Sequence, residues 1–432
     1  MRIAIVSYEF PPDTAFGGIG TYAGQAASLL AQRGHYVEVF AASSRRSGHF
    51  EEGKTGVNLA GEMNRPKFAE AIAPIFSQRH ATCNFDVVES PEYFADGREI
   101  LRLHPNLPHV VKMHTPNQLI RSSSACPNRL AWFRHHISQI RIMAGALRKG
   151  KRPPPYETYQ QSSLTQLDLD SLEKNYVSQC SFVTSPSKAM AEWAIREWRI
   201  DRNRTLVVPN PYIPANDLLN IPVAANGKVV GFFGRLEYRK GICDLVDAVP
   251  SILKAEPDAS FRFVGAALRH PGTLESFDGY VTRKLNKHRR SIIMVGSKNL
   301  YEMPIEYGKV DVCVFPSVWE NFPNVCLEAM AAGKAVVASN SGGMAEMLDA
   351  NCGLLIPPRD SRAIAESVVR LLRSDDLRIQ MGRNSRLRVL ERYSVESIGP
   401  QMEKSYESAI AMSRAKSAAP ASFQNHMQPL AS

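Results

Sequence analysis

The sequence predicts an α/β protein built from two doubly wound domains. Short apolar runs, such as residues 2–7 and 229–234, are each followed by a loop that contains glycine or proline and then by a helical pattern. This alternation is typical of parallel sheets covered by helices. The length of 432 residues suits two domains of about 200 residues each. A stretch with two prolines and a glycine, residues 212–227, is predicted to be the linker between them.

The first domain, residues 1–211, opens with a βαβ pattern. Residues 2–7 and 36–41 are predicted strands, and residues 21–33 between them are a predicted amphipathic helix that ends at Gly34. Later predicted strands are 85–89, 109–113, 181–184 and 205–208, and later predicted helices are 164–178 and 187–197.

The loop before the first helix contains a glycine pair, Gly17 and Gly18. The run from Gly18 to Ala23 formally matches the Gly-x-Gly-x-x-Ala dinucleotide fingerprint. That interpretation is rejected because about ten residues separate the strand from the glycines, and because Ala41 and its neighbours stand where the ribose-binding acid should follow the second strand. A glycine pair forms a plain loop turn in many proteins, and it also leaves no Cβ that would block close approach of another group.

His114 follows the predicted strand 109–113. A residue at the carboxyl end of a parallel strand faces the crevice in which doubly wound sheets bind ligands, so His114 is a candidate site residue. The alternative is that it caps the strand end by bonding to the backbone.

Residues 121–152 contain eight lysines or arginines and no aspartate or glutamate. Apolar residues recur among them at helical spacing. Such a basic amphipathic helix suits an anionic membrane surface or an anionic acceptor. An ordinary helix packed on the core with a solvated basic edge is the alternative. Nucleic acid is not an expected partner because no stacking platform or recognised module accompanies the basic residues.

The second domain, residues 228–392, contains the most informative stretch of the chain. Further strands are predicted at 260–264, 291–295, 310–315, 335–338 and 354–356, and a helix at 361–372. After the strand 310–315, Pro323 suits the first turn of a short helix. A strand, a loop and a helix N-terminus together present unpaired N–H groups and partial positive charge to an anion. Glu320 and Glu328 flank this phosphate site and suit hydroxyl groups of a sugar or ribose. The stretch therefore predicts a nucleotide-sugar site.

Glu320 and Glu328 resemble the Glu-x7-Glu signature of the retaining glycosyltransferases of family 4, the glycosyl transferases group 1. The preceding strand and the run 342–346 also stand where that family has them, and the resemblance covers about residues 1–412. It implies the GT-B fold, in which two Rossmann-like domains face a central cleft, with the acceptor on the first domain and the donor mainly on the second. It also implies that the last helix, residues 393–412, crosses back to the first domain. Residues 413–432 are predicted to be a disordered tail from their composition.

The resemblance implies retaining transfer of a hexosyl unit from a nucleotide-diphosphate sugar to an acceptor hydroxyl, without a metal or other cofactor. Arg235 and Lys240 would hold the diphosphate and stabilise the charge that grows as the glycosidic bond breaks. Surface cations paired with Glu237 are the alternative. His114 would contact the donor sugar near the reacting bond. The residues implied in catalysis are His114, Arg235, Lys240 and Glu320, and those implied in donor binding are Gly17, Gly18, Arg235, Lys240, Glu320, Asn321, Phe322, Asn324 and Glu328.

The composition indicates where in the cell the protein is expected to act. The seven cysteines form no Cys-x-x-Cys pair, which predicts neither a disulfide framework nor a zinc site. No signal sequence or run of 18 apolar residues is found. The expected location is cytoplasmic, with peripheral contact of 121–152 at the cytoplasmic face of the inner membrane. The net charge of +10 favours anionic partners.

The expected partners are a nucleotide-sugar donor and a glycan, glycolipid or lipid-linked acceptor, and the family implies a role in cell-surface polysaccharide or glycolipid synthesis. Two alternatives stay open. One is a non-catalytic GT-B subunit that binds nucleotide-sugar or glycan, and the other is a GT-B sugar-nucleotide epimerase.

Overall fold

The computed structural model describes residues 1–14, 17–124, 148, 159–224, 227–273 and 275–418. The chain divides into two compact units. The first comprises Met1–His114, Ser171–Pro211 and the segment from Val395 onward, and the second comprises Thr115–Asp170 and Tyr212–Ser394. The segment that begins at Thr115 thus groups with the second unit, whereas the sequence placed it in the first domain.

The first unit is built on an eight-stranded sheet with the order β3-β4-β2-β1-β5-β6-β7-β8. Every neighbouring pair is parallel except β3 and β4, which are antiparallel and close one edge. The strands are β1 (Arg2–Val6), β2 (Tyr36–Ala42), β3 (Gly48–Glu52), β4 (Thr55–Ala60), β5 (Val87–Pro91), β6 (His109–Lys112), β7 (Phe182–Ser185) and β8 (Thr205–Val207).

The second unit is built on a six-stranded parallel sheet with the order β11-β10-β9-β12-β13-β14. Its strands are β9 (Val229–Phe233), β10 (Ser260–Val264), β11 (Ile292–Gly296), β12 (Val312–Phe315), β13 (Ala335–Ser339) and β14 (Gly353–Ile356).

Helices connect these strands. In chain order, the α-helices of the described residues are α1 (Gly18–Gln32), α2 (Phe68–Cys83), α3 (Arg98–Leu103), α4 (Asn117–Ser124), α5 (Tyr159–Gln179), α6 (Lys188–Trp198), α7 (Asn216–Leu219), α8 (Ile242–Ala255), α9 (Phe277–Lys284), α10 (Met303–Gly308), α11 (Asn324–Ala331), α12 (Met344–Met347), α13 (Ser361–Leu372), α14 (Asp375–Arg392) and α15 (Val395–Ala418). Helix α7 lies inside the stretch 212–227 that the sequence predicted to be a plain linker.

The apolar runs of the sequence become fully buried strands. Strands β5, β6, β12 and β13 are buried along their whole length, as expected for parallel strands covered on both faces. In the second unit, the side chains of Phe232, Phe261 and Phe263 belong to one buried core together with apolar residues of α8 and α13. The sheets are therefore rigid supports for the loops at their carboxyl edges.

Each sheet reverses its strand order at one point. Strand β1 lies between β2 and β5, and strand β9 lies between β10 and β12. The loops that leave the two strands at such a point diverge, and the crevice between them is the usual ligand site of a doubly wound sheet. The loops after β9 and β12 contain Arg235, Lys240 and Glu320.

Helix α15 packs on the first unit. The Arg33 guanidinium donates to both carboxylate oxygens of Glu403 at 2.7 Å, and His35 Nε2 lies 2.7 Å from Glu403 Oε1. The buried Tyr406 hydroxyl donates to Glu89 Oε2 at 2.9 Å. The helix continues to Ala418, six residues beyond the end predicted at 412, because the alanine, arginine and lysine residues there are good helix formers. The rest of the predicted tail, 419–432, lies outside the described residues.

We expect Glu403→Gln to lower the free energy of unfolding by about 1–2 kcal/mol at neutral pH, because it removes a bidentate ionic contact. Arg33 and His35 hold the pKa of Glu403 at about 2. The folded pKa lies below the unfolded value, so the stabilisation is present above pH 4.5 and is lost as the pH falls through about 2. Denaturant titration at several pH values measures it. Glu407→Gln, at an exposed position of the same helix, is the matched control and should change little.

The basic stretch 121–152 lies mostly outside the described residues. At its start, Arg121 pairs with Asp170, and the Asn117 amide donates to the same carboxylate at 2.7 Å. In the part of the chain that the structure describes, no helix has both the length and the apolarity needed to cross a bilayer.

Candidate active site

The loops after β9 and β12 are joined by a buried cluster of charged side chains. Arg239 Nη1 donates to Glu320 Oε1 at 2.9 Å and to the Trp319 carbonyl at 3.3 Å, and Arg239 Nη2 donates to Glu237 Oε1 at 2.9 Å. The backbone continues the connection, because the Val318 N–H donates to the Arg239 carbonyl at 2.8 Å. Arg239 is only 5% exposed and Glu320 only 6%. The cluster therefore fixes the two loops relative to each other.

Lys240 forms an ion pair with the same carboxylate oxygen, Glu320 Oε1. Burial by itself raises the pKa of Glu320, but Lys240 and Arg239 outweigh it and hold that pKa below its usual value. Glu320 is therefore an ionised carboxylate at neutral pH. Its second oxygen, Oε2, receives no hydrogen bond from the described residues, so it is available to a ligand hydroxyl.

Arg235 lies at the exposed side of this cluster. Its side chain is 55% exposed, and Nη2 contacts Glu237 Oε1 at 3.3 Å. The pairing with Glu237 that the sequence left open as an alternative is thus present for Arg235. Lys240 does not share it, because its carboxylate partner is Glu320. An exposed guanidinium with one long contact keeps most of its donors available.

The remaining residues of the stretch lie around the start of α11. Pro323 precedes the helix with extended backbone, and Asn324 is the first helical residue, one position later than the sequence predicted. Asn321 and Phe322 are buried. The Phe322 ring packs edge-to-face on Tyr393 with centroids 5.4 Å apart, so its side chain serves packing.

Glu328 lies one turn along α11 and is half-buried. The hydroxyl of the fully buried Tyr307 donates to Glu328 Oε2 at 3.0 Å and lies at the same distance from the Val325 carbonyl. Tyr307 is held in turn by stacking on Phe233 with ring centroids 4.0 Å apart. Burial raises the pKa of Glu328 to about 7.

The sequence predicts that Glu328 binds a hydroxyl group of a nucleotide-sugar. We expect such binding to strengthen as the pH rises through about 7, because only the ionised Glu328 offers a full carboxylate to the hydroxyl group. Below that pH the affinity should fall by roughly tenfold per unit. A nucleotide-diphosphate sugar is the right probe, since its diphosphate does not titrate near neutrality. Calorimetric titration of the native enzyme and of Glu328→Gln across this range measures the effect. The glutamine variant should give a flat profile, and an equally steep one would assign the pH dependence elsewhere.

In the first unit the glycine pair lies at the amino end of α1. Gly17 is the N-cap residue and Gly18 begins the helix. The Glu9 carboxylate faces this helix end, because its Oε2 accepts from the Gly20 N–H at 3.3 Å. Arg65 holds Glu9 at 2.8 Å and the buried Asp96 at 3.0 Å. The glycines thus lie beside an anionic side chain, a contact that the sequence does not predict.

His114 follows β6 and lies at the carboxyl edge of the same sheet. Its backbone N–H donates to Glu92 Oε2 at 2.7 Å, and its ring meets Tyr22 edge-to-face at 5.1 Å. Burial, together with the charge of Lys112, lowers the pKa of His114 to about 3. The imidazole is therefore neutral at physiological pH and suits hydrogen bonding to a neutral group. Glu92 is 0% exposed and acts on the His114 backbone.

The structure thus groups the predicted residues into two sets. In the second unit, Lys240 and Glu320 are in contact, with Arg235 on the same loop as Lys240. In the first unit, Gly17, Gly18 and His114 follow strands of one sheet. Sequence reasoning missed the residues that organise these sets, namely Glu9, Arg65, Arg239 and Tyr307. Arg239 carried one signal, its place directly before Lys240. Within the described ranges, no cluster of His, Cys, Asp or Glu could hold a metal ion.

Comparisons with known proteins agree with this architecture. Residues 16–215 match the family described as Glycosyltransferase Family 4, and residues 227–374 match the family described as Glycosyl transferases group 1. An uncharacterized glycosyltransferase of Methanocaldococcus jannaschii is 25% identical over 422 residues, which cover 95% of this chain and 99% of that protein.

Solved structures show the same fold. Sucrose-phosphate synthase from Thermosynechococcus elongatus superposes with a TM-score of 0.69 at 22% identity, covering 95% of this chain and all of that one. Anabaena HepE in complex with UDP-glucose superposes with a TM-score of 0.62 at 18% identity, covering 94% of this chain and 100% of that one. Models of two glycosyltransferase families thus match residues 16–215 and 227–374, and the protein is a glycosyltransferase with the GT-B fold.

Proposed function

We propose that this glycosyltransferase moves a hexosyl unit from a nucleotide-diphosphate sugar to an acceptor hydroxyl, with retention at the anomeric carbon and without a metal ion. The observation that carries the proposal is the buried contact of Lys240 and Arg239 with Glu320 at the point where the second sheet reverses its strand order.

The charge of this cluster suits a diphosphate. Three cations, Arg235, Arg239 and Lys240, face two carboxylates, Glu237 and Glu320. One positive charge is therefore in excess before any ligand binds. The exposed Arg235 and the ammonium of Lys240 are the donors that would turn to the phosphates. Charge-assisted hydrogen bonds of this kind contribute on the order of 1.5–3 kcal/mol each.

The two glutamates suit the neutral ends of the donor. Glu320 Oε2 would accept from hydroxyl groups of the sugar. Glu328 on α11 would accept from the ribose, with Tyr307 fixing its other side. UDP-glucose, the ligand of the Anabaena neighbour, supplies a diphosphate, a ribose and a hexose of this kind, and supports a hexosyl donor for this chain.

We propose that transfer takes place at the anomeric carbon of the bound donor. The bond between the anomeric carbon and the β-phosphate oxygen breaks, and its electrons leave with the phosphate, where Lys240 and Arg235 stabilise the added charge. The acceptor oxygen bonds to the anomeric carbon from the same face. Its proton passes to the departing phosphate, so no protein nucleophile or metal is required. Neutral His114 would donate to or accept from the sugar. Retention itself is inferred from the family.

The acceptor belongs to the first unit in this proposal. A glycan, a glycolipid or a lipid-linked sugar in cell-surface polysaccharide or glycolipid synthesis is the class that the family favours. Contact of residues 121–152 with an anionic membrane at the cytoplasmic face is part of the same proposal.

The testing experiment is a thermal-shift panel of UDP, ADP and GDP sugars with chelator present. It is followed by product analysis with the sugar that binds. One nucleotide should stabilise the native enzyme without metal, and Lys240→Ala and Glu328→Ala should weaken the shift. The matched control is Lys284→Ala, at a surface lysine 3.5 Å from Asp247. If neither Lys240→Ala nor Glu328→Ala weakens binding, the assignment of these residues to the donor site is wrong. Binding without transfer would favour a non-catalytic subunit, and conversion of the donor without acceptor would favour an epimerase.

A further inference from the structure

Glu320 is held by two cations on one of its oxygens. Arg239 Nη1 and Lys240 Nζ both contact Oε1. They come from adjacent residues of one loop but differ in their surroundings. Arg239 is also tied to Glu237 and to the Trp319 carbonyl, while every ion pair of Lys240 within the described residues is with Glu320. The Arg239 side chain is therefore held by three partners, whereas the ion pairs of Lys240 in the described residues involve Glu320 alone.

This difference matters when a diphosphate binds. In the proposed function Lys240 must turn from Glu320 to the phosphates. A buried carboxylate that loses its counter-charge becomes strongly unfavourable and takes up a proton or moves. Glu320 is only 6% exposed, so water solvates this carboxylate far less than an exposed one and compensates little for the lost partner. The bound state needs a second cation on Glu320 that stays in place.

The geometry points to Arg239 as that cation. We infer that Arg239 is a positioning residue that keeps Glu320 ionised and directs its Oε2 toward the donor sugar, and that this frees Lys240 to exchange between Glu320 and the diphosphate. The inference rests on the proposed function, because it requires a diphosphate at Lys240. It adds a residue outside the implied donor-binding set and a reason why two basic residues stand side by side.

Arg239 does not contact the diphosphate in this inference, but its removal should still weaken diphosphate binding. In Arg239→Gln, Lys240 becomes the remaining cation of Glu320 and is retained there. Affinity for a nucleoside diphosphate should fall by about tenfold or more, the equivalent of one charge-assisted hydrogen bond. Affinity for the nucleoside monophosphate, which lacks the phosphate that Lys240 would contact, should change by less than about twofold. Arg239→Lys should restore most of the difference.

The experiment compares UDP with UMP, or ADP with AMP where the donor panel identifies adenine, by calorimetric titration of the folded variants. The matched control is Arg262→Gln, which removes another arginine that pairs with a buried glutamate of the same unit, Glu306, at 2.5 Å. A general loss of packing would lower the affinity for both nucleotides in either variant. The ratio of the two affinities isolates the proposed role.

A double-mutant cycle provides the second readout. If Arg239 acts through Glu320, then Arg239→Gln should cause no further loss of diphosphate affinity in a Glu320→Gln background. Additive losses, or an unchanged affinity ratio in Arg239→Gln, would overturn the inference and leave the proposed function intact. A native enzyme that binds no nucleoside diphosphate would overturn both.

Discussion

Replacement of Glu320 by glutamine is expected to separate nucleotide binding from transfer. The amide has the size of the carboxylate but no charge, so Lys240 loses its ion pair and is free for the diphosphate. Affinity for the nucleoside diphosphate should stay the same or rise. Transfer should fall by about 10²–10³-fold, the usual cost of losing one preorganised polar contact in an active site.

The physical reason lies in the two oxygens of Glu320. Oε1 is occupied by Arg239 and Lys240, whereas Oε2 receives no hydrogen bond from the described part of the chain. A glutamine must direct its single carbonyl oxygen either to the two cations or to the sugar. Its NH2 group then lies on the other side, where it cannot accept the hydrogen bonds that a carboxylate oxygen accepts. The sugar therefore loses its orientation even though the nucleotide remains bound.

The measurement is kcat with the preferred nucleotide-sugar, beside the Kd of the nucleoside diphosphate. Glu306→Gln is the matched control, because Glu306 is also a buried carboxylate paired with two cations, Arg262 and Lys309. It should lower stability without changing the ratio of kcat to Kd. Transfer at the native rate in Glu320→Gln would remove Glu320 from the reaction.

The sheets and their turns could be predicted because their signals are local. Strands β9 and β12 are short apolar runs, and Pro323 stands within one position of the start of α11. An apolar run and a helix-starting proline are each recognised from a residue and its neighbours in the sequence. The helix α13 was predicted with its observed bounds for the same reason, since the Asp360 side chain caps it and its apolar residues are regularly spaced.

Other elements lacked such signals. Strands β3 and β4 form an antiparallel edge pair, and β3 is too polar to resemble a buried strand. Helix α2 contains Pro74, a residue that normally ends a helix. Here the apolar residues of α2 pack into the core of the first unit, and that tertiary burial outweighs the local preference.

The buried pairs of charged side chains could not be predicted. Arg239 resembles a solvated loop cation in the sequence, yet it is 5% exposed in the structure. Its partner Glu320 is 81 residues away. In the first unit, Glu9 and Arg65 are 56 residues apart and meet beside the glycine pair. Pairing of this kind is decided by which loops each sheet brings together within its own unit, and the sequence of a single loop does not indicate it.

Replacement of Gly241 by alanine is expected to separate the loops after β9 and β12 and to lower the free energy of unfolding of the second unit. Gly241 directly follows Lys240 and has a φ of +71°. An added Cβ would lie 1.9 Å from the Pro316 carbonyl oxygen, which belongs to the loop after β12. Backbone cannot yield as a flexible side chain does, so the loops must move apart. We expect a loss of about 3 kcal/mol or more in the free energy of unfolding.

The left-handed backbone alone accounts for about 1–2 kcal/mol of this loss. Gly296→Ala measures that part, because Gly296 has a φ of +78° and nothing lies within 4 Å of its added Cβ. Denaturant unfolding of both variants gives the difference that belongs to the contact with Pro316. Since Lys240 and Glu320 lie on the two loops that are forced apart, Gly241→Ala should also lower transfer by about 10²-fold in the protein that remains folded. Equal stability losses in the two variants would show that the loops do not depend on this contact.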